Sequence, residues 1–151
     1  MSCVSFLSAA QRAALRESDD ERLTPEEIRA VHPSPPATEG KLRRIRMLAR
    51  SVDPTIRQSA ALNQQCPVDV LELLAGDPDP SVRLCVARQP LTPEPILRSL
   101  TQDSTANVRG WVAANPGVPR SLLSQLAHDP DPTVRSVVAW ADNWRPTGQL
   151  G

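Results

Sequence analysis

Cysteine is scarce in this chain: Cys3, Cys66 and Cys85 are its only three, with no CxxC pair and no Cys/His cluster. An odd, scattered set supports no disulfide framework, zinc site or iron–sulfur site. Separate reduced thiols are expected of a cytoplasmic protein. Glycine is sparse too, six scattered residues with no Gly-rich loop to cradle a phosphate. Histidine occurs only at His32 and His128, neither in a metal spacing. No nucleophile stands with a base by sequence logic, so neither enzymatic activity nor a cofactor is expected. No run approaches the roughly 20 apolar residues that span a membrane. The opening MSCVSFLSAAQRAALRE also lacks the basic region of a secretory signal. Neither sign of charge prevails, with 17 bases against 17 acids, so bulk charge argues for neither nucleic acid nor an anionic membrane.

What the chain does have is proline, sixteen of them, and a period. Arg57, Arg83, Arg109 and Arg135 stand 26 residues apart. In the same register Asp77, Asp103 and Asp129 fall into one column and Pro54, Pro80 and Pro132 into another. Ile56, Val82, Val108 and Val134 form a third, and Ala61, Ala87, Ala113 and Ala139 a fourth. A fixed period of this size marks a solenoid, in which each unit buries its apolar face only by stacking on its neighbours.

Each unit divides into two short helices. First helices are expected at 54–62, 80–88, 106–114 and 132–140, with Asp53, Asp79, Thr105 and Asp131 as N-caps that accept free N–H groups of the first turn. Proline at the first helical position costs nothing, because its missing N–H has no intrahelical partner there. Second helices are expected at 67–75, 93–101 and 119–127. Leu71, Leu97 and Leu123, with Leu74, Leu100 and Leu126, give them an i, i+3 apolar seam. Ahead of these units a helix over 41–50 carries Leu42, Ile45 and Ala49 on one face. Before it, residues 1–40 read as a helical cap ending in a Pro-rich linker: a short helix over 8–16, then Thr24-Pro25-Glu26-Glu27 as a capping box. The solenoid covers 41–143 and residues 144–151 form a C-terminal cap, with Trp144 over the end of the stack.

The motif Asp77-Pro-Asp-Pro-Ser-Val-Arg-Leu-Cys-Val-Ala87, with Asn107-Val-Arg-Gly-Trp-Val-Ala-Ala-Asn-Pro116, resembles the bacterial leucine-rich repeat variant family and is similar to HEAT-type units. The resemblance implies an all-α, right-handed solenoid of about four two-helix repeats. The units are slightly longer than is usual in that family, and the cysteine-rich iron–sulfur segment of some members has no counterpart here. The fold is carried over and no cluster is.

Three features bear on function. The arginine ladder reads as glue, since an Asp six residues before each Arg sets a carboxylate within reach inside or between units. Ser51 stands in that acid column in the first unit, which makes Arg57 the least neutralised of the four. Lys41 to Arg50 is the one concentrated charge. Arg43, Arg46 and Arg50, with Arg44 beside them, are either a contact for an anionic partner or a solvated face neutralised by the acidic stretch 17–21. Finally, some outward columns of the first helices vary sharply between units: Leu84 against Gly110, Cys85 against Trp111 and Val137, Arg88 against Ala114 and Trp140. Tryptophan and arginine are the usual hot-spot residues. The expectation is a non-enzymatic scaffold that binds a peptide or protein across Trp111 and Trp140, with Arg88 for polar specificity and Leu84 and Cys85 on the same surface. The alternative is a nucleic-acid-binding HEAT-like protein using Arg43, Arg44, Arg46, Arg50 and Arg57. Self-association through an uncapped stack end is a third reading.

Overall fold

The computed structural model describes residues 36–144, and these form eight helices with no strand among them. In chain order they are α1 (Glu39–Leu48), α2 (Pro54–Ala61), α3 (Val68–Ala75), α4 (Pro80–Arg88), α5 (Glu94–Leu100), α6 (Ala106–Ala114), α7 (Arg120–Leu126) and α8 (Pro132–Trp144). The first helices α2, α4, α6 and α8 pack one on the next, and the second helices α3, α5 and α7 pack against them. This is an all-α repeat solenoid.

Helix starts follow from local chemistry. Asp53, Asp79 and Asp131 each accept a bond from the backbone N–H two residues on, at 2.8 Å in every case. Thr105 is the exception among the expected caps: its hydroxyl makes no capping bond and instead accepts a long, 3.5 Å contact from Arg83. The second helices begin one residue later than expected, because Pro67, Pro93 and Pro119 are extended N-caps rather than first helical residues. The helix α1 begins at Glu39 rather than 41, since the Thr38 hydroxyl accepts from the backbone N–H of Lys41 at 3.3 Å. At the other end α8 runs on to Trp144, so the last helix absorbs the position expected to start a separate cap. The expected helices and linker before residue 36, the acidic stretch 17–21 and the tail after 144 lie outside the described residues.

Two inward rows fill the core. Val82, Val86, Val108, Val112, Val134 and Val138 come from the first helices, and the six leucines of the expected seam come from the second. Each such side chain contributes about 1.5–3 kcal/mol when buried. A further column at the same step, Val70, Ile96 and Leu122, is buried beside the leucines. At the ends of the array the pattern loosens: Ile56 and Ala139 are exposed, unlike their equivalents in the middle units.

Candidate partner-binding groove

Polar ladders hold the units in register and decide which side chains remain free. Arg57 donates from Nε to Asp77 at 2.7 Å and from Nη2 at 2.9 Å. Arg83 meets Asp103 at 2.6 and 3.0 Å, and Arg109 meets Asp129 at 2.7 and 2.9 Å. Each fork therefore reaches an acid 20 residues ahead, in the next unit, not the one six residues behind. The six-residue spacing serves the backbone: Nη1 of Arg83 bonds the Asp77 carbonyl at 2.8 Å and Nη1 of Arg109 the Asp103 carbonyl at 2.7 Å. Each carboxylate also accepts the backbone N–H two residues on. The Arg57 and Arg109 guanidiniums hold the Asp77 and Asp129 carboxyls below the usual carboxylate range. At Asp103 burial pulls upward, and the bonds from Arg83 and Thr105 outweigh it, so that carboxyl is also lowered.

A second ladder is built of amides. The Gln89 side chain donates to the carbonyls of Ala61 and Asn63 at 3.0 and 2.9 Å. That of Asn115 donates to Ala87 and Gln89 at 2.7 and 2.9 Å. Both amides are buried; each closes the end of the preceding unit's first helix, and the Asn115 side chain also closes its own turn by accepting from the Gly117 N–H.

These pairings correct two readings. Arg57 is not the least neutralised rung, because its acid is Asp77; Arg135 is the one that, among the described residues, meets only backbone carbonyls, of Asp129 and Pro130. Arg46 is also engaged, with Asp69 on α3 at 2.9 Å and Glu39 at 4.0 Å. Of the basic set, Arg43, Arg44 and Arg50 are exposed and form no ion pair among the described residues.

On the outer surface of α6 and α8 the columns that vary produce a shallow groove of about 360 Å³. Trp111 and Trp140 line it, 40% and 54% exposed. Its floor on α6 is Ala106, Gly110 and Ala114, one stripe at i, i+4 and i+8. In α4 the same columns hold Pro80, Leu84 and Arg88, so the space between the tryptophans exists because α6 has small residues there. A Cβ on Gly110 meets nothing within 4 Å. Arg88, exposed at the end of α4, lies over the Trp111 ring at 5.3 Å from its centre, within the range of a cation–π contact.

Arg88, Trp111 and Trp140 are thus brought into one surface. Leu84 is half-buried against the core and does not line the groove. Cys85 is turned inward and is only 6% exposed. Its column faces solvent in α6, where Trp111 is too large for the interior, but packs inside in α4. Burial pushes the Cys66 thiol up to about 11 and also raises that of Cys85, so neither is a ready nucleophile. Among the described residues no group of His, Cys, Asp and Glu is arranged to hold a metal ion. Nor is any described helix long and apolar enough to cross a membrane. Signals that sequence reasoning missed were present: the Ala106–Gly110–Ala114 stripe, and the acids 20 residues after Arg57, Arg83 and Arg109.

The family model for the leucine rich repeat variant matches residues 54–79 and 106–131. These are the α2–α3 and α6–α7 pairs with the turns that follow, and α4–α5 between them repeats the same bonds. No curated protein and no solved structure matches the chain. Those two stretches are leucine rich repeat variant units, and helices α2 to α8 stack as an all-α repeat array.

Proposed function

We propose that this chain is a non-enzymatic scaffold that holds a segment of a partner protein across Trp111 and Trp140. One observation carries the reading: two tryptophans, both substantially exposed, line a single apolar groove whose floor is kept open by small residues. Large aromatic side chains left in water beside a concavity lose the burial that would stabilise them in the monomer, and a partner restores it. The polar ladders fix the backbone beneath, so the groove is preformed and little ordering cost opposes binding.

The nucleic-acid alternative is the weaker of the two. Arg46 and Arg57 already serve acids of the chain itself, which leaves Arg43, Arg44 and Arg50 as its support. Phosphate contacts by three arginines give binding that falls steeply with salt, whereas a tryptophan-centred interface is much less sensitive.

The test is a pull-down from the native cell extract, with and without nuclease, using the parent chain and a Trp111→Ala/Trp140→Ala variant of unchanged helicity. A stoichiometric protein that survives nuclease and high salt and is lost with the variant supports the scaffold. Bound material that disappears with nuclease and is retained by the variant overturns it.

A further inference from the structure

We infer that the partner segment carries a carboxylate for Arg88, within about four residues of a bulky apolar side chain that fills the Trp111–Trp140 groove. This rests on the groove reading above and adds the chemistry of the occupant.

The basis is the contrast between Arg88 and the ladder arginines. Arg57, Arg83 and Arg109 each grip a carboxylate through two N–H donors and are largely buried, with side chains 14, 14 and 13% exposed. Arg88 is exposed and has no ion pair among the described residues. It is nevertheless held, by its contact over the Trp111 ring. A guanidinium held near an indole by cation–π attraction keeps its N–H donors, so its charge is positioned for a carboxylate before that acceptor arrives. The groove itself is uncharged: its polar side chains are Asn107 and Thr133 beside the two indoles. A cation at the rim of an uncharged apolar slot selects a ligand that is apolar at one point and acidic at another.

Spacing follows from the stack. The helices α4, α6 and α8 pack in succession, with axes about 8–10 Å apart in such packing. The groove lies between α6 and α8, so its centre is about 12–15 Å from the α4 axis, and the Arg88 guanidinium is nearer still because it reaches the Trp111 wall. An extended chain rises about 3.3 Å per residue and covers that distance in about four residues or fewer. A segment crossing the helices in extended form therefore sets its acid on Arg88 when its apolar residue is in the groove.

A random dodecapeptide phage library selected on the full chain, with counter-selection on the Gly110→Leu variant, tests this. Leucine at 110 projects into the groove from a backbone position where an added Cβ meets nothing within 4 Å. The expected survivors carry Asp or Glu within about four residues of Phe, Leu, Ile or Trp. A synthetic survivor should lose about tenfold or more in affinity for Arg88→Gln. Changing the peptide's acid to its amide should cost the parent chain the same and the Arg88→Gln chain nothing more. Survivors that are apolar with no preferred acid, or an Arg88→Gln chain that binds as the parent does, overturn the carboxylate and leave the groove standing. Peptides that bind the Gly110→Leu and Trp140→Ala chains as well as the parent, or no enrichment at all, overturn the groove reading and the inference with it.

Discussion

Arg83 and Arg88 lie five residues apart on α4 and obey different rules. Arg83 recurs every 26 residues, meets its carboxylate at 2.6 Å and is mostly buried. Arg88 has alanine and tryptophan as its equivalents in the next two units, stays exposed and rests on an indole. The first kind of side chain is repeated because every junction between units needs the same bonds. The second kind differs in each unit because nothing in the stacking requires it. In a repeat protein the columns that repeat describe the scaffold, and those that vary describe what the scaffold presents.

Acid should separate the two kinds most strongly, because it discharges three rungs at once. Asp77, Asp103 and Asp129 are all lowered in the folded chain. A carboxyl lowered on folding contributes stability that is complete above its unfolded value, about 4, and is lost as pH falls through the folded value. Urea midpoints should therefore be flat from about pH 7 to 5 and fall below about pH 4. A midpoint that stays level down to pH 2 would mean that the rungs add no net stability.

Asp103→Ala removes one rung and should cost about 3 kcal/mol in urea or thermal unfolding, because it strands Arg83 in a site built for a charge partner. Arg88→Gln, by contrast, should stay within about 0.5 kcal/mol of the parent, as exposed changes away from the core usually do. Equal losses in the two variants would erase the distinction between ladder and surface. The amide ladder should come next. Asn115→Ala leaves the Ala87 and Gln89 carbonyls and the Gly117 N–H without their buried partner, at a cost of about 2 kcal/mol.

Much of this was legible in the sequence, and what was not has a geometric cause. The period, the two helices per unit and the leucine seam depend on contacts that recur at fixed intervals, so they can be read along the chain. Pairing across units cannot be read from the nearest charge. The acid six residues before each Arg looked like its partner, yet the carboxylate that meets it lies 20 residues after, because stacking brings the next unit's entry turn over the guanidinium. That one choice misassigned Arg57. Cys85 was misread for a related reason: a column has one orientation on the average helix, but a small apolar residue packs inward where an indole cannot. The tryptophans were visible as variable residues, and the two helices between which they meet fix the groove.

Gly110 gives the smallest effect in stability and the sharpest one in meaning. Glycine inside a helix is less stable than alanine by about 0.5–1 kcal/mol, and α6 has it at a position where α4 has Leu84 and α8 has Ser136. No backbone constraint asks for it, since no described residue has the positive φ that favours glycine, and no neighbour crowds its missing Cβ. Gly110→Ala should therefore raise the unfolding free energy by about 0.5–1 kcal/mol. Gly110→Leu should keep the fold and abolish binding in the groove. The pair separates two explanations for a residue that weakens its own helix. If alanine stabilises and leucine blocks, the open floor between Trp111 and Trp140 is what the glycine preserves. If leucine stabilises as alanine does and the partner still binds, glycine at 110 has no bearing on the groove, and the variable columns of α6 lose their claim to be the binding surface.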